Sequence, residues 1–82
     1  MDRVSTIEEF RKYFKDKSLF YDLDKYLDCK EEYLKTPDDM PKEIDMTLAY
    51  EYVHSDMKYW LSCGQISMST FNHLIDVLQE GL

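Results

Sequence analysis

Trp60-Leu61-Ser62-Cys63-Gly64-Gln65-Ile66-Ser67-Met68-Ser69-Thr70-Phe71-Asn72-His73-Leu74-Ile75-Asp76-Val77-Leu78 decides the fold. It reads as the end of one helix, a tight turn and another helix. Gly64 stands where a left-handed C-terminal cap belongs, and Ile66 can supply the apolar contact that accompanies such caps. Ser67 suits an N-cap, because its hydroxyl can accept from an orphan backbone N–H of the turn that follows. Phe71, Leu74, Ile75 and Leu78 then recur at i, i+3, i+4 and i+7, which predicts a helix over 68–80 stopped by Gly81. A connection of about four residues makes these two helices a hairpin or a steep crossing.

Upstream, Ile44, Leu48, Ala49, Tyr52, Val53, Met57, Trp60 and Leu61 recur every three or four residues. They predict a long helix over 41–62 with that set facing the core. Pro41 suits its first turn, since a missing N–H costs nothing there. Pro37 disfavours helical geometry at Thr36, which ends a preceding helix over 19–35. That helix carries Leu19, Phe20, Leu23, Tyr26, Leu27 and Leu34 on one face. Two overlapping capping boxes, Ser5…Glu8 and Thr6…Glu9, followed by Ile7, Phe10 and Phe14, predict a first helix over 6–16. Val and Ile are few, and no segment alternates with period two. The expected fold is all-α: one domain over 1–82, a small bundle of four amphipathic helices.

The charges are unevenly spread. Residues 44–82 hold one base, Lys58, against five acids, while 1–43 hold nine bases and twelve acids, for a net charge of −7. A phosphate backbone is gripped by cations, so this composition argues against nucleic acid. A helix-turn-helix reading, with Ser69, Thr70, Asn72 and His73 presented to bases, meets the wrong sign at Asp76 and Glu80. No apolar run approaches the ~18 residues of a membrane span. Met1-Asp2-Arg3-Val4-Ser5 lacks the apolar stretch of a signal peptide, and Cys29 and Cys63 stand far apart without a CxxC pair. The expected location is cytoplasmic, with both thiols reduced.

Catalytic and metal chemistry find little support. Cys29, Cys63, His54 and His73 are scattered singly, whereas zinc sites are announced by closely spaced pairs. A Cys63–His73 contact across the turn is conceivable, but no third group orients it. Small helical bodies leave little room for a pocket of the ~300 Å³ or more that substrates need. No enzyme activity, cofactor or metal is expected.

The remaining signal is seven tyrosines among many acids. Tyrosine gives large contact area at low entropy cost and keeps a polar tip, a composition suited to protein interfaces. One candidate partner-binding patch is Tyr21, Asp22, Asp24, Asp28, Glu31, Glu32 and Tyr33. A second, expected to face outward from the third helix, is Tyr50, Glu51, Asp56 and Tyr59. Carboxylates at Asp24, Asp28 and Glu31/Glu32 recur about every 6 Å along a helix rising ~1.5 Å per residue, close to phosphate spacing, so nucleic-acid mimicry is conceivable too. The function expected is docking on another protein with a basic surface and occluding it. Size, acidity and absent chemistry fit an inhibitor, immunity or anti-defence protein of bacterial or phage type. The alternatives are a homodimeric structural or regulatory module and a DNA-binding regulator.

Overall fold

Four side-chain oxygens start four helices. Asp2 accepts from the Ser5 N–H, Asp16 from Ser18, Asp39 from Lys42 and Ser67 from Thr70. In the computed structural model, which describes residues 2–80, these caps open α1 (Arg3–Arg11), α2 (Lys17–Lys35), α3 (Met40–Ser62) and α4 (Met68–Gln79). No strand occurs among the described residues.

The first helix begins earlier than the capping boxes predict and ends at Arg11, short of the predicted 16. Asp2 is as good a cap as Ser5 or Thr6, and Thr6 is buried, its hydroxyl donating back to the Asp2 carbonyl at 2.9 Å. A side chain drawn inward in this way cannot also cap. Likewise Asp16 caps α2, and Ser18 lies inside the helix.

The turn after α3 is as expected. Gly64 adopts φ +79°. Its N–H bonds the Leu61 carbonyl at 3.1 Å, and the Gln65 N–H reaches the Trp60 carbonyl at 3.0 Å. This pair of bonds is the Schellman arrangement, and Ile66 is buried beneath it. The stop expected at Gly81 lies outside the described residues.

Contacts between α2 and α3 run in opposite senses: Asp22 lies by Asp56, Tyr26 by Tyr50 and Glu32 by Lys42. The two helices therefore form an antiparallel hairpin, and the molecule is long, 39 × 21 × 21 Å. α1 packs on α2 and α4, and α4 packs on α3. They cover one half of the hairpin only. Phe10, Phe14, Leu19, Leu23, Tyr26, Val53, Met57, Leu74 and Leu78 make the core there. No residue is fully buried in α2 beyond Leu27, or in α3 before Ala49. The far end, residues 32–45, is a two-helix arm.

The C-terminus of α4 is held from α2. Tyr26 Oη donates to the Leu78 carbonyl at 3.0 Å, and Lys30 Nζ donates to the Leu78 and Glu80 carbonyls at 3.2 and 2.6 Å. These donors satisfy carbonyls that a helix end leaves orphaned. Burial pushes the Tyr26 phenol up to about 12, so it stays a donor. Tyr26→Phe should cost about 1 kcal/mol, because Lys30 still serves the Leu78 carbonyl. Urea denaturation of the two proteins measures it.

Candidate functional surfaces

On α2, Asp24, Asp28 and Glu31 share a face, as their spacing of four and three requires. That face is not bare. Arg3, from the first turn of α1, lies 3.4, 2.7 and 3.6 Å from the three carboxylates. Glu32 stands between Lys35 at 3.7 Å and Lys42 at 3.6 Å. The anionic field along α2 is thus partly offset from within the chain, by cations 21–28 residues away on α1 and 10 away on α3 as well as by the neighbouring lysine. Tyr21 is exposed at the margin of this face, Tyr33 is half-buried on the opposite side of α2, and Asp22 turns away from the patch toward Asp56 on α3.

The second patch divides. Glu51 and Tyr59 are exposed, as expected. Tyr50 is not: its ring packs edge-on against Tyr26 at 5.7 Å and stacks with His54 at 6.0 Å. Asp56 also turns inward, toward Asp22 on α2 and Asp16 at its cap. The physical reason is the rotation of α3. Its inward side is Met46, Ala49, Tyr50, Val53, Met57 and Trp60, which brings positions 50 and 56 to the edges of the buried face.

The same rotation turns out three residues expected in the core. Ile44, Leu48 and Tyr52 are 53, 50 and 62% exposed, and Met40 is 62% exposed. Spaced by four, they form a stripe along the side of α3 turned away from the core, with Tyr59 further on. Leu34, expected on the buried face of α2, is also exposed at the arm. A shallow groove follows the stripe between Met40, Glu43, Ile44, Thr47 and Leu48. Its neighbours are acidic: Glu43, Asp45 and Glu51 are all exposed. Lys42, the nearest base in sequence, engages Glu32. The signal for this surface is present in the sequence as a second apolar stripe at spacing four.

Asp16, Asp22 and Asp56 form an inter-helix cluster. Burial, then Asp22 and Asp16, push the Asp56 carboxyl up from 3.8 to about 7. Drawn as carboxylates, these groups only accept, and Asp56 Oδ2 is buried without a donor. A proton kept on Asp56 supplies a donor toward Asp22. Trp60 Nε1 donates to Asp16 Oδ2 at 3.1 Å and ties the cluster to α3.

At the opposite end from the arm, an open cleft of about 640 Å³ lies between the α1–α2 corner and Trp60. It exceeds the room expected from the sequence, because the short α1 leaves the corner uncovered. Arg11, Lys12, Lys15 and Lys17 surround it, but its central polar groups are already paired: Trp60 with Asp16, and Gln65 Nε2 with the Tyr13 carbonyl at 3.3 Å.

His73 Nε2 lies 2.9 Å from Glu9 Oε1, so the imidazole on α4 faces α1 rather than Cys63. Lys12 and His73 together hold the Glu9 carboxyl below its usual range. Cys29 is half-buried and Cys63 exposed, both as free thiols, and burial pushes the Cys29 thiol up. Among the described residues no three His, Cys, Asp or Glu side chains converge on a metal position. No described helix is long and apolar enough to cross a membrane. No protein-family model, curated protein or solved structure matches the chain.

Proposed function

We propose that this chain is a protein-binding domain that docks on another protein and occludes it, as inhibitors and immunity or anti-defence proteins do. The observation that carries the reading is the apolar stripe Met40, Ile44, Leu48 and Tyr52, exposed along the side of α3 turned away from the core. An uncovered apolar helix face, rimmed by charge, is the usual form of an interaction surface. Large flexible or aromatic side chains such as Met and Tyr carry affinity there, while rim charges set encounter rate and salt dependence. Tyr21 and the Arg3-bridged acids of α2 form a second, more polar surface.

A second reading, a homodimer formed through the same stripe, is favoured by the scarcity of charge at its centre. One experiment separates the two. A photo-crosslinking side chain is placed at Leu48 or, as a control, at Tyr21, and the protein is irradiated in extract of cells that express it. Docking predicts a heterologous adduct at Leu48 and a light-scattering mass near 9.9 kDa for the purified chain. Self-adducts together with twice that mass would replace this reading by the homodimer.

A further inference from the structure

We infer that the stripe on α3 receives a cationic amphipathic helix from its partner protein; this rests on the docking reading above. Three observations select that occupant. The four apolar residues are spaced by four from Met40 to Tyr52, a rise of about 18 Å at ~1.5 Å per residue. They can meet three turns of a helix that presents its own apolar residues at i, i+3/i+4 and i+7. The stripe lies on the side of α3 turned away from the core, which neither α2 nor α4 covers, so a helix can be laid along it. The exposed charges beside Met40–Tyr52 on α3 are Glu43, Asp45 and Glu51, and Lys42 is engaged by Glu32.

The same charges disfavour other occupants. A second copy would bring Glu43, Asp45 and Glu51 close to their own equivalents, on a chain of net charge −7. An anionic lipid surface meets the same repulsion. A helix with Lys or Arg flanking its apolar seam gains attraction from all three acids and burial from the stripe. The occupant's charge sets specificity; its apolar seam sets affinity.

The probe is a synthetic 18-residue helix with Leu at i, i+4, i+7 and i+11 and Lys at the flanking positions, beside a twin carrying Glu in place of Lys. Binding is followed by anisotropy and by amide shifts of the ¹⁵N-labelled chain. The Lys peptide should bind, shift amides between Met40 and Tyr52, and weaken as salt rises. The Glu peptide should not bind. Leu48→Ser, which leaves net charge unchanged, should reduce affinity by about tenfold, from the loss of a half-exposed leucine's contact. Glu43→Gln with Glu51→Gln should reduce it by about threefold, as rim charges do.

Amide shifts centred on Asp24 and Asp28, or unchanged affinity for Leu48→Ser, would overturn the inference, since a basic peptide can also cling to any acidic surface. The amide spectrum of Leu48→Ser alone reports whether its fold is intact. If Leu48 crosslinks a heterologous protein but the Lys peptide shows no preference over its Glu twin, the inference fails and the docking reading stands. If Leu48 crosslinks only another copy of the chain, both fail.

Discussion

Phe10→Ala should bring the protein close to unfolding at room temperature. Phe10 is fully buried and packs 6.0 Å, ring to ring, from Phe14. Removing a buried phenylalanine costs about 3–5 kcal/mol, from lost burial and the cavity left behind. A chain of this size has roughly 4–12 kcal/mol in total, at about 0.05–0.15 kcal/mol per residue. The effect concentrates on α1, whose nine residues are too few to hold a helix in water without tertiary support. Its other ties include half-buried Ile7, buried Thr6, Arg11 over the Phe20 ring, the Arg3 ion pairs and the Glu9–His73 contact. Arg3 stands among exposed carboxylates, and such pairs contribute about 0–1 kcal/mol each. Thermal melting should show a loss of at least ~12 °C for Phe10→Ala, at about 4 °C or more per kcal/mol. Hydrogen exchange should show α1 amides unprotected. A melting temperature within a few degrees of the parent would mean that α1 is not anchored as described.

Detached α1 would also release Asp24, Asp28 and Glu31 from Arg3. The short helix thus has a second consequence: it sets how much anionic field the α2 face presents. Nothing local in the sequence announces that contact. Arg3 and Asp28 are 25 residues apart, and their meeting depends on how α1 packs on α2 and α4. The turn at Gly64, by contrast, is legible because its determinants lie within a few residues: a left-handed glycine, two backbone bonds, Ile66 and the Ser67 cap. The four helices are legible for the same reason, and their starts shift only where Asp2 and Asp16 outcompete hydroxyls nearby.

The phase of α3 is not legible locally, and the physical cause is specific. Met46, Ala49, Val53, Met57 and Trp60 line one side, while Met40, Ile44, Leu48 and Tyr52 line the other. Periodicity finds an apolar stripe but cannot say which of two faces inward. Partners decide it: Tyr26 takes Tyr50, and Glu32 takes Lys42. Reading both stripes as core hides the exposed one and makes inward-edge residues, Tyr50 and Asp56, look like outward ones. The apolar excess of α3 therefore faces two ways: one side folds into the core, and the other is the surface proposed for docking.

Asp56 offers the test of that inward edge. With its carboxyl raised from 3.8 to about 7 by burial, Asp22 and Asp16, the folded protein keeps a proton that the unfolded chain releases. Between these values the folded state binds more protons, so stability falls as pH rises. The contribution is whole below about pH 4 and is lost as pH passes through 7. At this partly exposed site, screened by solvent, the effect is about 1–2 kcal/mol. The groups with lowered values, Asp2 and Glu9, act at the other end: their support disappears only as pH falls through the carboxylate range. Urea midpoints should therefore decline from pH 5 to pH 8 in the parent protein. Asp56→Asn supplies a permanent N–H donor to Asp22 and carries no charge to desolvate, so it should remove most of that slope and be the more stable protein at pH 8. A variant that keeps the parent slope would show that Asp56 faces water, and with it that α3 is rotated toward the outward patch its spacing first suggests.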